Sequence, residues 1–403
     1  MYGRTRSSSS RAEASRLAET GRRFSPRGAL LPILALLDRS READHRRPGP
    51  AEDGTRFPEF PWDLRTLILM FPPEAPFRFM NLNLLLGLTG APFDRPEQLG
   101  DLDARDAFDL QLCLEGRKRC ALYKRYHSIS RELSYRPGAV ELLLGERLRF
   151  EGSWPAYRVR FREPEAELSL TLRFDSREDF HWWAYAPRFY CHYTSFGRCR
   201  MDWKWGGEGG ALEVPALHDH GWGRNLLPLG LPLRSFRYEV LQLPCESESA
   251  SGFAISLWTE GPFGMALKQS GLLRWDQGES QRMDRCECRV LEWETFENHA
   301  GRPCRVPRRW LARQTGGGAE LEYEAQRSSE PRAVLGNGFL LGFDYQGVLR
   351  QPAERALEGE GYAEQMGSPL RGEPRSWRSA GHSCGVSSSP APSHRGKSSP
   401  RVM

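Results

Sequence analysis

The sequence contains no Cys-x-x-Cys pair, no Gly-x-Gly-x-x-Gly loop, no Gly-x-Ser-x-Gly elbow, no short internal repeat and no apolar run long enough to cross a bilayer. Each absence closes off a class of function. Without paired cysteines at finger or ribbon spacing, the nine cysteines form neither a disulfide framework nor a regular zinc module, and scattered thiols favour a reducing, cytoplasmic setting. Cys286-Glu287-Cys288 puts two thiols on one face of a strand, two ligands short of a closed zinc site, so no metal and no cofactor is expected. The longest apolar runs are Ala29 to Leu37, with Pro32 inside it, and Leu67 to Phe71. Both fall far short of the ~20 residues a spanning helix needs.

A net positive charge is missing where a fold is expected. Residues 1–56 hold twelve Arg against seven acids, and residues 367–403 hold six basic residues against one acid. The formal total is only +5, so the stretch between the ends is net acidic. A nucleic-acid binder carries its basic surface on the folded part, and this chain carries it on the ends, which argues against nucleic acid as a partner. Both ends are rich in Arg, Ser, Pro and Gly and read as disordered, apart from a short helical pattern near Ala12 to Ala18. Arg22-Arg23-Phe24 and the acid-poor start carry faint features of an export or transit signal, so a targeting role and a peripheral membrane contact stay open beside the cytoplasmic reading. Oligomeric state is not legible.

What the chain does have is period-two alternation. Tyr157, Val159 and Phe161 alternate with Arg158, Arg160 and Arg162, and Leu168, Leu170, Leu172 and Phe174 alternate with Ser169, Thr171 and Arg173. That is the pattern of antiparallel strands with one face in a core. Turn signals recur at Arg136-Pro137-Gly138, Gly206-Gly207, Glu260-Gly261-Pro262, Thr315-Gly316-Gly317 and Gly336-Asn337-Gly338. Short strands at such spacing predict an all-β barrel or sandwich. Order is expected from about Phe57 to Met366, as one β domain over residues 57–225 and a second over 226–366, with a leader at 1–56 and a tail at 367–403.

Two features could carry chemistry. Between Phe180 and Trp205 lie ten aromatic residues, among them Trp183, Tyr185, Tyr193 and Trp203. Such rings line cavities for apolar ligands and their faces stabilise positive charge, although they equally build a core. The second feature is His218-Asp219-His220-Gly221-Trp222-Gly223. On an extended backbone His218, His220 and Trp222 share one face and Asp219 takes the other. The flanking glycines predict a strand end or kink through positive φ or close backbone approach. Three readings stand side by side for the imidazoles: a metal site completed by His181 or His192, an acid/base pair with a carboxylate fixing the tautomer, or hydrogen-bonded structure at a domain junction. Glu260, closing the apolar run Leu257-Trp258-Thr259, is a further candidate acid, because a carboxyl held among apolar groups has a raised pKa.

These residues carry a resemblance. Asp219, His220, Trp222 and Gly223 are similar to the Asp-His-x-Trp-Gly signature of the carotenoid 1,2-hydratase and AttH-like superfamily. Gly359-Glu360-Gly361-Tyr362-Ala363-Glu364 resembles the Gly-x-Gly-Tyr-x-Glu that closes its last strand, the nearest likeness being to an uncharacterised bacterial branch. The resemblance implies two lipocalin-like antiparallel β-barrels in tandem. It also implies His220 and Trp222 in a pocket, with an aspartate two residues after a tyrosine supplying a proton. Here the chain departs: the nearest aromatic-x-acid is Trp258-Thr259-Glu260. The resulting expectation is a protein that binds a hydrophobic, isoprenoid- or lipid-like molecule. His220, Asp219 and Glu260 are the candidate catalytic residues for acid-assisted hydration or cyclisation of an alkene, and Trp222, Trp258, Trp183, Tyr185, Tyr193 and Trp203 the candidate ligand contacts. The alternative is a non-catalytic carrier or interaction protein in which the motif is structural.

Overall fold

The computed structural model describes residues 64–86, 96–136, 139–186, 190–223, 235–244, 252–260, 266–275, 280–298, 301–334, 338–366 and 368–369. The expected leader, the helical pattern near Ala12, the link around Asn225 and nearly all of the tail lie outside the described residues.

The alternating segments become strands. Those of the first sheet are β1 (Leu64–Met70), β2 (Phe77–Leu86), β3 (Ala107–Gly116), β4 (Cys120–Ser128), β5 (Leu133–Arg136), β6 (Ala139–Leu144), β7 (Leu148–Ser153), β8 (Ala156–Glu163), β9 (Leu168–Ala186), β10 (Tyr190–Trp205) and β11 (Glu208–Gly223). The second sheet holds β12 (Ser235–Leu243), β13 (Gly252–Glu260), β14 (Ala266–Trp275), β15 (Ser280–Met283), β16 (Arg285–Glu297), β17 (Pro303–Gly316), β18 (Ala319–Arg327), β19 (Arg332–Ala333), β20 (Gly338–Arg350), β21 (Glu354–Met366) and β22 (Ser368–Pro369). One helical turn, α1 (Ile129–Glu132), links β4 to β5. The last strand pairs Ser368 and Pro369 with Arg305 and Cys304, so regular structure runs slightly beyond the expected end at Met366.

Both sheets are antiparallel throughout. The first runs in the order β4-β3-β2-β1-β11-β10-β9-β8-β7-β6-β5 and curls into a near-barrel whose edges are β4 and β5. The second runs β15-β14-β13-β12-β21-β20-β18-β17-β16, with β19 on β20 and β22 on β17. The protein is therefore all-β, built from two lipocalin-like barrels, the second only partly closed.

Burial explains which strands alternate cleanly. Along β8 every second residue is exposed, because its outer face meets water. Along β2 nearly every residue is buried, because one face fills the barrel and the other meets the second sheet. Three large apolar clusters stand out among the described residues. Leu67, Phe108, Phe161 and Met201 belong to the interior of the first barrel, and Leu241, Trp310, Phe343 and Leu357 to that of the second. Between them Ile68, Phe79, Trp183 and Phe196 of the first sheet pack on Tyr238, Ile255, Leu257 and Tyr362 of the second. That seam has a polar margin, where Arg78 pairs with Glu360 at 3.1 Å and lies 3.8 Å from Asp344, while Gln242 donates to the Phe71 carbonyl.

Candidate functional site

The motif strand β11 serves two compartments at once. His218, His220 and Trp222 project into the first barrel, and Asp219 projects into the seam between the sheets. Neighbouring strands settle the sides: on β1, Leu67 lies opposite His220 and belongs to the barrel core, whereas Ile68 lies opposite Asp219 and belongs to the seam. All four residues are buried. The described part of the strand runs to Gly223, the residues after it lying outside the described ones, and Gly221 does not adopt positive φ. Its requirement is close approach, since a Cβ there would stand 3.2 Å from the Tyr190 hydroxyl.

Inside the barrel, Tyr193 of β10 lies directly across from His220, their rings parallel with centroids 5.8 Å apart. The Tyr193 and Tyr157 hydroxyls share a hydrogen bond of 2.6 Å. Tyr157 also covers His218, ring to ring at 4.6 Å. His218 Nδ1 and Ser195 Oγ lie 3.2 Å apart, and His218 Nε2 has no hydrogen-bond partner among the described residues. Burial pushes the His218 imidazole down to about 3, so at neutral pH it is an uncharged donor and acceptor. Trp182 stands edge-on to Tyr185, Tyr193 and Trp222, and these four rings with Cys191 form one cluster beyond His220.

In the seam, His192 Nε2 reaches the two Asp219 oxygens at 2.7 and 2.9 Å, and Thr194 donates to the same carboxylate at 2.8 Å. Trp183 Nε1 donates to Thr194 Oγ1 at 2.5 Å, and the Tyr238 hydroxyl of the second sheet approaches that oxygen at 3.2 Å. Burial, then the charge of Asp219, pushes the Tyr238 phenol up, so it remains a donor. The second motif ends in the same place. Tyr362 packs in the seam and accepts from Asn81 at 3.1 Å, and Glu364 lies opposite Tyr238 on β12. Glu364 is half-buried, and desolvation followed by the charge of Asp219 lifts its carboxyl to about 7. The motif's glycines face the other way, where the Phe343 ring would stand 2.3 Å from a Cβ at Gly361.

The sequence candidates therefore divide. His220, Trp222, Tyr185 and Tyr193 come together within the first barrel. Asp219 and Trp183 lie across the sheet from them, in the seam. Trp203 packs edge-on to Phe77, in the barrel core but outside the His220 cluster. Trp258 and Glu260 sit on β13 of the second sheet, and the Glu260 side chain is outside the described residues. The proposed third ligands for a His218/His220 metal site also separate from it. His192 binds Asp219 in the seam, and His181, at about 3 through burial and then nearby Arg282, lies on that outer face too. Among the described residues no carboxylate or thiol completes a metal-binding trio with Cys286 and Cys288.

Sequence reasoning missed a charged group inside the second barrel. Arg237 and Glu239 of β12, both nearly inaccessible, form an ion pair. The Tyr323 hydroxyl donates to Glu239, and the Arg237 guanidinium lies over the Trp310 ring, 4.2 Å from its centre. The i, i+2 spacing of Arg237 and Glu239 was readable as a shared face, but nothing local showed that the face was interior.

A family model described as "Family of unknown function (DUF6670)" matches residues 85–367, across both sheets. No curated protein sequence matches the chain. Among solved structures, kievitone hydratase from Nectria haematococca is similar over 76% of this chain and 90% of its own, at 12% identity with a TM-score of 0.51. A protein described as an AttH from Nitrosomonas europaea is similar over 76% and 92%, at 12% identity and 0.49. CghA in complex with Sch210972 is similar over 78% and 92%, at 10% identity and 0.44. The likeness to the hydratase is one of fold.

Proposed function

From the premise that the chain belongs to the DUF6670 family, we propose that its first barrel binds a hydrophobic, isoprenoid- or lipid-like small molecule against His220 and Trp222. The observation that carries this reading is the polar row of His218 and His220 on β11 with the Tyr157 and Tyr193 hydroxyls, set beside the aromatic cluster of Trp182, Tyr185 and Trp222 and the apolar core of the barrel. Apolar walls with a few convergent polar groups are the common composition of a small-molecule site.

The same row supports acid-assisted addition to an alkene. The Tyr193 hydroxyl delivers its proton to one alkene carbon and leaves a cation on the other; in a hydration water captures the cation and the resulting oxonium returns a proton to the Tyr193 oxygen by way of His220, and in a cyclisation a second double bond captures it and the new cation loses a neighbouring C–H proton to the same oxygen. The π faces of Trp222 and Trp182 stabilise the cation while it lasts. That the hydratase from Nectria haematococca shares this fold at low identity supports testing hydration first. Asp219 lies across the sheet from a molecule in the barrel, so its part is to hold β11 in place. Glu260 remains a candidate acid on β13.

A second reading is that of a non-catalytic carrier. The anchoring of Asp219 in the seam favours it, because the motif then has a structural use independent of chemistry. Native mass spectrometry of the purified protein, incubated with a lipid extract, tests binding in either case. A bound species that Trp222→Phe weakens by about tenfold supports the barrel site. Turnover lost in His220→Ala with binding retained supports catalysis, and binding without turnover leaves the carrier. If Trp222→Phe lowers thermal stability and no ligand is captured by either form, the barrel-site reading is wrong.

A further inference from the structure

The β3–β4 hairpin brings two thiols and a carboxylate together on the outer face of the first sheet, where it meets β19. Cys120 lies across from Glu115 in the ladder, and Cys113 shares their face because it stands two residues before Glu115. The two Sγ atoms are 3.8 Å apart, and with a carboxylate oxygen of Glu115 all three donor atoms lie within 4.8 Å of one another. Cys113 is 1% and Glu115 4% exposed, while Cys120 is half-buried and opens the group to water on one side. Glu115 Oε2 has no hydrogen-bond partner among the described residues.

A buried carboxylate oxygen without a hydrogen bond is costly, by roughly 1–3 kcal/mol or more for a charged group, and calls for a partner. Arg332 is the obvious one, but its Nε stays 4.0 Å from Oε2, beyond hydrogen-bonding distance, and Nε too lacks a hydrogen bond. The guanidinium instead donates to Glu330 at 3.0 Å. Two thiolates bound to zinc at about 2.3 Å with a tetrahedral angle stand about 3.8 Å apart, the separation already present here.

We propose that Cys113, Cys120 and Glu115 bind a thiophilic divalent cation such as Zn²⁺, with water in the fourth position on the Cys120 side. Two thiolates, one carboxylate and a divalent ion sum to one negative charge, and Arg332 beside them neutralises it within the seam. The site lies across the sheet from His220 and is independent of what the barrel holds. It fastens the β3–β4 hairpin where Arg332 and Ala333 of the second sheet rest on it.

The test uses the full chain, reduced and stripped with a chelator, titrated anaerobically with Co²⁺ and then Zn²⁺. A near-ultraviolet thiolate-to-cobalt band saturating at one equivalent, and lost on adding Zn²⁺, is expected. Cys113→Ser should weaken Co²⁺ binding at least about 100-fold and Glu115→Gln about tenfold. Alkylation mapped by peptide mass spectrometry needs no variant and decides the matter should Cys113→Ser not fold: Zn²⁺ should protect Cys113 and Cys120 and leave Cys286 and Cys288 as reactive as before. Absence of the band, a band that persists in folded Cys113→Ser, protection falling on Cys286 and Cys288, or a Cys113–Cys120 disulfide in the protein as purified would each overturn the proposal.

Discussion

The two barrels keep polar groups in their interiors in different ways. Around its motif strand the first holds imidazoles and phenols, as in the 2.6 Å bond between Tyr157 and Tyr193 and the neutral His218. The second holds a full ion pair, Arg237 with Glu239, closed by Tyr323 and Trp310. A neutral hydroxyl or imidazole can exchange its partner for a ligand's at small cost, because a new hydrogen bond replaces an old one. A buried charge cannot, since removing its partner leaves it uncompensated in a poor dielectric. The first interior is thus suited to receive a molecule, and the second to hold its own strands in register.

The largest break in this contrast is expected from Glu239→Ala, which strands Arg237 inside the second barrel and should cost about 3–5 kcal/mol in urea denaturation. Replacing both Arg237 and Glu239 with leucine should cost less than that single change. If the single change is as mild as a surface substitution, the pair does not hold the barrel.

Acid should act on the first barrel next. The folded pKa of His218 lies below its unfolded value of about 6.5, so the unfolded chain binds the extra proton and stability falls as pH drops from there toward about 3. Between pH 6 and 4 this amounts to roughly 2.5 kcal/mol for one fully buried imidazole. His181 adds to it from the seam, whereas among the described residues the second sheet carries no histidine. Thermal melts of His218→Gln across that range should show a shallower acid slope than the parent, and an unchanged slope would contradict the neutral assignment.

Tyr193→Phe removes one hydroxyl bond and should lower stability by only about 1 kcal/mol. Ligand capture should suffer more than the melt does, and the reverse would mark the pair as structural. The smallest effect belongs to Glu364, where the seam joins the two barrels. Its folded pKa is raised, so it withdraws stability as pH rises from about 4.5 to about 7, and water reaching the half-buried carboxyl limits the effect to a kcal/mol or so. Glu364→Gln should remove that decline and leave stability flat from pH 7 upward in both forms.

Much of this architecture was legible before any coordinates. The alternation of β8 and β9 reads directly as strand with one wet face, and the period of two placed His218, His220 and Trp222 opposite Asp219. The partners were not legible, because they lie across ladders. Asp219 meets His192, 27 residues away, through strand register, and its charge acts on Glu364 of the other sheet through the packing of the seam. A bulge between β9 and β10 is the sharpest case. The register shift between His192 and Tyr193 leaves Trp183 without an opposite residue, so Trp182 and Tyr185, three residues apart, come to the same barrel cluster while Trp183 packs in the seam. Strict alternation would set Trp182 and Tyr185 on opposite faces, and nothing in the residue spacing hints that a ladder irregularity will unite them. The Cys113, Glu115 and Cys120 group was hidden in the same way, since the hairpin register that unites it is invisible in residue spacing.

The adjacency of Asp219 and His220 on one strand has a thermodynamic side. One peptide unit joins a residue that clamps the two barrels to a residue that lines the first, and a strand cannot roll to move one side chain without rolling the next. If the first barrel takes a ligand as proposed, its occupancy and the closure of the seam are linked quantities. Whatever free energy a ligand loses when the seam is loosened, the seam regains when the ligand is bound, because coupling between two sites is reciprocal. An Asp219→Asn protein that binds more weakly without touching the ligand would be the visible form of that exchange.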